Sequence, residues 1–175
     1  PASDVNSIVG QAYALRAYCY HNLAIMYART YVGHEQEPCV PIYTEPSAAG
    51  TQGAPRSTNE AVYTQALSDI DKAITLLADV KVRDKSQISS YVAKAIKARI
   101  LSYTAKTASD WSTVADIAKE AQGGGAICEL ENVFNGFNSA DEDFVMWGYY
   151  TIQEQTTTNP QFMSHMDYYW GGYGY

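Results

Sequence analysis

One stretch, Gln11 to Tyr31 (QAYALRAYCYHNLAIMYARTY), constrains the fold more than any other, because it contains no glycine or proline that would break a helix. Its larger apolar residues return at helical spacing, its tyrosines follow a similar spacing, and small alanines lie between them. A helix that is apolar on almost every side is normally buried among other helices. The stretch therefore predicts the central helix of an α-helical array.

The same stretch does not predict a membrane span. A span needs roughly 20 mostly apolar residues, and Arg16, His21 and Arg29 interrupt this one. We expect His21 to be a hydrogen-bonded helix residue rather than a metal ligand, because the three histidines of the chain are far apart in the sequence.

Composition narrows the classes of function. The net charge of -7 disfavours nucleic acid as a partner, since phosphate binding needs a basic face. Charged residues make up only 18% of the chain, whereas 15 of its 175 residues are tyrosine. Such a composition suits a neutral polar ligand, although tyrosines also fill helical cores.

The sequence predicts no catalytic residues, no metal site and no cofactor. The motifs HExxH and GxSxG and the phosphate-binding P-loop do not occur in it. The three cysteines, Cys19, Cys39 and Cys128, give neither a disulfide framework nor zinc-ligand spacing. Cys19 is expected in the core as a small apolar residue. The acidic run 141–143 lacks the spacing of a calcium loop and indicates a solvated turn.

The chain is predicted to be one domain, residues 1–175, of the all-α class. It reads as a lead-in over 1–10, two helical hairpins over 11–78 and 88–122, and an irregular segment over 123–175. The first hairpin includes a long proline-rich loop, residues 33–57. We expect a piece of a longer protein, because the chain begins at Pro1 without a methionine and ends without a helix that could bury its aromatic terminus.

Capping signals place the helix starts. Ser57, with Glu60 three residues on, predicts a capping box for the second helix, and Asp110 predicts the cap of the fourth. Asp69 is predicted to lie off the apolar face of the second helix, and Trp111 to lie in the core. The apolar face of the second helix is formed by Val62, Ala66, Ile70, Ala73, Ile74 and Leu77. Along the third helix, the residues at helical spacing are Val92, Ala95, Ile96, Arg99, Ile100 and Tyr103.

Two short segments suggest an internal repeat. Residues 12–17 (AYALRA) resemble residues 93–98 (AKAIKA), an offset of 81 (93 minus 12), and each is followed by an amphipathic helix. The two hairpins therefore read as two copies of one unit, although alanine-rich helices also resemble each other by chance.

Beyond the second hairpin the pattern changes. Residues 134–138 read as a loop, and the apolar run 144–147 has β-tendency. Trp147, with Tyr149 and Tyr150, fits either a core or a binding site.

Four motifs follow one another in the chain. The first lies in the first helix, at Ala12, Leu15, Arg16, Ala17, Tyr18 and Tyr20, and the second in the segment after it, at Val40, Pro41 and Ile42. The other two lie in the later helices, at Arg56, Ser57, Glu60, Tyr63, Asp69, Ile70, Asp71 and Ala73, and at Ala93, Ala95, Ala98, Arg99 and Tyr103. In this order they resemble the N-terminal half of SusD/RagB-type proteins, the surface glycan-binding lipoproteins of Bacteroidetes, and the resemblance covers most of residues 11 to 150.

The resemblance implies a tetratricopeptide-like array of helical hairpins. It also implies a protein of the cell outer membrane, exposed at the surface, that binds an oligosaccharide or polysaccharide and passes it to a TonB-dependent (SusC-like) transporter. Members of the family are lipid-anchored, and this chain contains neither the lipidation cysteine nor the long C-terminal half of the family.

The candidate carbohydrate-binding residues lie near the C terminus. Sugar rings pack their C–H faces on aromatic planes and need polar groups close by. One short glycine-rich stretch offers both, with Asp167, Tyr168, Tyr169, Trp170 and Tyr173. The alternative is that these rings pack against residues 144–150 or against further polypeptide.

Three functions are compatible with these patterns. The first is a non-enzymatic glycan-uptake component. The second is a helical-repeat scaffold that binds only protein. Stacked helical pairs form concave surfaces that can bind either a glycan or a protein. The third, an enzyme acting on a glycan, is the weakest, because no acid/base pair stands out in the sequence.

Overall fold

The computed structural model describes residues 2–135, 140–148 and 150, and these residues fold into helices joined by loops and turns, which confirms the all-α prediction. The helices are α1 (Ala2–Tyr27), α2 (Asn59–Leu77), α3 (Ser90–Thr104), α4 (Ala108–Ala121) and α5 (Leu130–Asn135), with a 3-10 turn at Gln122–Gly124. Each of the first four packs on its neighbour in the chain, α1 on α2, α2 on α3 and α3 on α4. None of these helices is both long enough and apolar enough to cross a membrane.

The start of α2 differs from the sequence prediction by one residue. Thr58, not Ser57, is the N-cap, and its hydroxyl accepts a hydrogen bond from the backbone N–H of Ala61. Ser57 is held in an extended pairing with the loop instead: the Cys39 N–H donates to its carbonyl at 2.7 Å, and its own N–H donates to the carbonyl of Val40 at 3.1 Å. The helix therefore begins only after this pairing ends.

The start of α4 also shifts. Thr107 is the N-cap, and Asp110 is the third helical residue, whose carboxylate accepts from the N–H of Thr107 to close a capping box. Asp110 was predicted to be the cap itself, so the residue takes part in the cap but in the other role.

Helix α1 begins earlier and ends earlier than predicted. Residues 2–10 are helical rather than a lead-in, and Gly10 packs so closely on α2 that a Cβ there would lie 2.7 Å from Cγ of Leu77. At the other end, side chains from later in the chain bind the last carbonyls. Arg56 donates to the Tyr27 carbonyl at 2.9 Å, and Asn59 donates to that of Arg29 at 3.1 Å. These bonds satisfy carbonyls that a longer helix would have used.

Only one side of α1 is buried, so the prediction of a helix buried all round is wrong for the described residues. Ala14, Ala17 and Ala24 are at most 2% exposed and allow α2 to approach closely. On the opposite side Leu15 is 44% exposed and Met26 72%. Cys19, expected in the core, is also exposed, and the buried cysteine is Cys39. The reason is that α1 packs chiefly on α2, which covers a single face.

Three further expectations fail beyond α3. Trp111 is 52% exposed, because α4 packs on α3 through its inner side alone. Phe134 lies in α5 and is 81% exposed, so residues 134 and 135 of the predicted loop 134–138 are helical, and residues 136–138 lie outside the described residues. The run 144–147 forms turns instead of a strand, with the N–H of Val145 donating to the carbonyl of Glu142 at 2.9 Å.

A buried ion pair joins α1 to α2. Arg16 donates from Nε and Nη2 to the two carboxylate oxygens of Asp69, each at 2.7 Å, and Gln65 donates to the same carboxylate at 2.9 Å. The Asp69 side chain is fully buried, contrary to the expectation that it lies off the packed face. Its charge is tolerated there because the planar guanidinium meets it with two parallel bonds. This pairing raises the pKa of Arg16, chiefly through the hydrogen bonds to Asp69.

The loop between α1 and α2 is fixed to α1 by polar contacts. Arg16 donates a further bond to the carbonyl of Thr44 at 3.0 Å. The Tyr20 hydroxyl donates to the carbonyl of Tyr43 at 2.8 Å and accepts from the N–H of the same residue at 2.6 Å. Arg56 donates to the carbonyls of Cys39 and Pro38. The beginning and end of the long loop are therefore anchored, although it contains no helix.

Replacing Arg16 by Met is expected to lower the free energy of unfolding by about 3 kcal/mol, because it leaves the buried Asp69 carboxylate without its counter-charge. Chemical denaturation followed by circular dichroism measures the change.

The matched control is Arg29→Met, which breaks the exposed pair with Glu37 and should cost less than about 1 kcal/mol. The double variant Arg16→Met/Asp69→Leu should recover most of the loss, since apolar residues can replace a buried pair. Equal effects of the two single variants would contradict the assignment of the Arg16–Asp69 pair as the central one.

Candidate functional site

A cleft of about 440 Å³ opens between α1, α3 and residues 144–147. It is lined by Tyr18 from α1, by Val92, Ala95, Ile96 and Arg99 from α3, and by Phe144, Val145, Met146 and Trp147. A volume of this size is in the range of sites for small organic ligands, which are typically apolar with a few polar groups. We call it the Trp147 cleft.

The outer wall of the Trp147 cleft is held by the connector between α2 and α3. The Lys85 ammonium donates to the carbonyls of Asp141 and Glu142, and the N–H of Gly148 donates to the carbonyl of Lys85 at 2.9 Å. The indole Nε1–H of Trp147 donates to the carbonyl of Ser86 at 3.2 Å. These bonds fix a segment that has no regular secondary structure of its own.

Two aromatic rings in the lining of the cleft contact each other. Tyr18 and Trp147 have ring centroids 5.9 Å apart and planes at 85°, an edge-to-face contact. The bond to Ser86 orients the indole. The sequence left Trp147 undecided between core and site, and the structure places it on the wall of a cleft.

Arg99 is the charged side chain that lines the cleft. It is exposed, and its guanidinium forms no hydrogen bond or ion pair with any residue that the structure describes. In the sequence, Arg99 is one of the residues at helical spacing along the third helix. A cation among apolar neighbours at helical spacing is the signal that could have singled it out as a site residue.

His21 lies beside Arg99 on the inner side of α1. It is 1% exposed, and neither ring nitrogen has a hydrogen-bond partner among the described residues, so the expectation of a hydrogen-bonded histidine is wrong. Its ring meets the rings of Tyr103 at 4.7 Å and Tyr63 at 6.0 Å, both edge-to-face. Burial, and secondly the positive charge of Arg99, lowers the pKa of His21 to about 4.

The residues predicted to bind carbohydrate, Asp167, Tyr168, Tyr169, Trp170 and Tyr173, lie outside the described residues, and the assignment stays a prediction. The acidic run 141–143 is an exposed turn, as expected. Among the described residues no group of histidine, cysteine or carboxylate side chains is arranged to hold a metal ion.

Comparison with known proteins agrees with the resemblance seen in the sequence. A SusD-like family model, described as "Starch-binding associating with outer membrane", matches residues 2–101. No curated protein sequence matches the chain.

Solved structures share the fold. A SusD-like carbohydrate binding protein from Bacteroides vulgatus is 29% identical, with a TM-score of 0.76, over 87% of this chain and 32% of that one. A SusD superfamily protein from Bacteroides thetaiotaomicron is 21% identical, with a TM-score of 0.73, over 89% and 33%. A second Bacteroides vulgatus superfamily member is 21% identical, with a TM-score of 0.65, over 76% and 30%. The chain therefore spans about a third of the length of these structures.

The environment of His21 predicts a pH dependence of stability. The folded-state pKa of about 4 lies below the ordinary value of 6.5, so between pH 6.5 and 4 the unfolded chain binds a proton that the folded chain does not. The free energy of unfolding should therefore fall as the pH decreases through this window, by about 3 kcal/mol in total from this residue.

The His21→Phe variant, which keeps an aromatic ring between Tyr63 and Tyr103, separates this effect from other titrations. Denaturation at pH 7.5, 5.5 and 4.5 should show the stability of the variant rising relative to the parent as the pH falls. Parallel pH profiles for the two proteins would refute the assignment.

Proposed function

Because the chain belongs to the SusD-like family of starch-binding proteins that associate with the outer membrane, we propose that it binds an oligosaccharide in the Trp147 cleft without cleaving it. The observation that carries the proposal is the pair of rings, Tyr18 and Trp147, which contact each other edge to face in the lining of a cleft of about 440 Å³.

The chemistry of the cleft suits a sugar. The C–H faces of a sugar ring pack on aromatic planes, and the indole of Trp147 is held in place by its bond to Ser86. Fixed rings lose little conformational freedom when a ligand binds. The Tyr18 side chain and the guanidinium of Arg99 offer hydrogen-bonding groups for sugar hydroxyls.

Binding without reaction is proposed because the remaining lining is apolar. The side chains of Val92, Ile96 and Met146 form walls for contact rather than groups for proton transfer. A glycosidase would need a pair of carboxyl groups flanking the scissile bond.

Work at the cell surface is the wider part of the proposal. The family description places its members at the outer membrane, and we extend this to delivery of the glycan to a TonB-dependent transporter. Two experiments test this part. The intact protein should capture such a transporter from native outer membranes, and a strain that lacks the protein should take up less glycan. Full glycan uptake in a deletion strain would overturn this part.

A scaffold that binds only protein is the second candidate. The observation that favours it is the exposed apolar side of α1, where Cys19, Leu23 and Tyr27 form a groove of about 450 Å³ with Pro41 and Tyr43 from the loop. The two candidates differ in one measurement, since a scaffold would not respond to sugar.

Replacing Trp147 by Ala should weaken oligosaccharide binding about tenfold or more, because a partly buried tryptophan is a typical hot-spot residue of a binding site. Isothermal titration calorimetry of the intact protein with a mixed set of oligosaccharides measures the affinity, and analysis of the recovered sugar reports cleavage.

The matched control is Trp111→Ala, which removes an exposed indole on α4 that does not line the cleft. It should leave affinity within about twofold. Saturable binding that both variants retain unchanged would remove the cleft from the site, and shortened sugar after incubation would indicate an enzyme.

The terminal aromatic cluster has its own test. If Trp170 stacks on the glycan, Trp170→Ala should also weaken binding about tenfold, and the double variant with Trp147→Ala should weaken it further. Affinity unchanged by Trp170→Ala would clear residues 167–173 of a direct role.

A further inference from the structure

The positive charge of Arg99 is not used by the fold in the described part of the chain. Three of the other four arginines are engaged: Arg16 pairs with Asp69, Arg29 pairs with Glu37, and Arg56 donates to three backbone carbonyls. Arg99 lies instead in a cleft with a guanidinium that forms no hydrogen bond or ion pair with a described residue. The other side chains that line the cleft are mostly apolar, and Arg99 itself is exposed to solvent and open to a ligand.

A cation in such a place favours a particular ligand group. The guanidinium presents N–H donors in a planar fork that matches a carboxylate with two parallel bonds. A neutral sugar hydroxyl accepts only a single bond from it and brings no opposite charge. From this geometry we infer that the Trp147 cleft selects oligosaccharides that carry carboxylate groups, such as uronate units, with Arg99 as the residue that recognises the charge.

This inference rests on the glycan binding proposed above and adds the class of glycan. The rings of Tyr18 and Trp147 contact any sugar face, so they provide affinity with little choice between neutral and acidic sugars. Arg99 provides the selectivity for acidic over neutral sugars. The two contributions act on different parts of the ligand and can be removed separately.

Other charged groups near the cleft include some that repel an anionic ligand and one that attracts it. The acidic turn 141–143 precedes Phe144 and repels an anion, whereas the Lys85 ammonium contacts two carbonyls of that turn. The turn is exposed to solvent, and charges in water are screened over about 8 Å at physiological salt. Arg99 lines the cleft itself, so it meets a bound ligand directly.

The test compares acidic and neutral oligosaccharides of equal length on the intact protein. Oligogalacturonate is expected to bind at least tenfold tighter than maltooligosaccharide at 50 mM salt, and the difference should shrink at 500 mM. A sulfated maltooligosaccharide, which is an anion without carboxylate groups, distinguishes carboxylate recognition from attraction to any anion. It is expected to bind more weakly than oligogalacturonate. Equal binding of the sulfated and the carboxylated sugar would overturn the carboxylate assignment.

Arg99→Gln should abolish the preference for the acidic sugar, and should weaken binding of the neutral sugar much less than binding of the acidic one, because an amide can still donate a hydrogen bond to a hydroxyl. Arg99→Lys keeps the charge without the fork and should give an intermediate preference. Arg83→Gln removes an arginine side chain from the connector, outside the cleft, and should leave the preference intact. Thermal unfolding checks that all variants fold.

The outcomes separate the two proposals. If Trp147→Ala weakens the binding of both sugars but the intact protein shows no preference for the acidic sugar, the charge inference is overturned and the glycan site is retained. An equal loss for both sugars in Arg99→Gln overturns it as well. No binding of any sugar overturns both proposals.

Discussion

The ion pair between Arg16 and Asp69 is the interaction on which the first half of the fold depends. It fixes the position of α1 along α2, and the same guanidinium holds the loop at Thr44. A fully buried carboxylate is costly without its partner, so the pair restricts the chain to arrangements in which Arg16 faces Asp69. The small residues Ala14 and Ala17 then allow the close approach that the pair requires. Tyr20 and Arg56 extend this polar frame along the loop.

The packing of four successive helices leaves one apolar side of α1 exposed. Each helix covers one face of the next, and no second layer of described residues covers Leu15 or Met26. The chain spans about a third of the length of the solved structures that share its fold. Exposed apolar side chains grouped on one face are typical of a surface that contacts other molecules.

The Trp147 cleft combines parts that are distant in the sequence. Tyr18 comes from the first helix, Arg99 from the third and Trp147 from a turn held by the connector at Lys85 and Ser86. Tyr18 and Arg99 are among the residues that match the family motifs, whereas Trp147 is not. Two rings provide contact area and one cation provides charge, so the cleft can be specific although most of its lining is apolar.

The sequence by itself determined the first four helices apart from their ends, the family and the position of the proline-rich loop, because helical periodicity and ordered motifs are local patterns. It also indicated the packed side of α2 through Val62, Ala66 and Ile70. It could not decide which polar residue is buried, since Asp69 becomes a core residue only when Arg16 meets it from another helix. It could not find the cleft for the same reason: Arg99 follows the helical spacing of its apolar neighbours, and only the approach of residues 144–147 gives it a site. Local periodicity specifies elements, whereas the meeting of distant side chains is specified by how those elements pack.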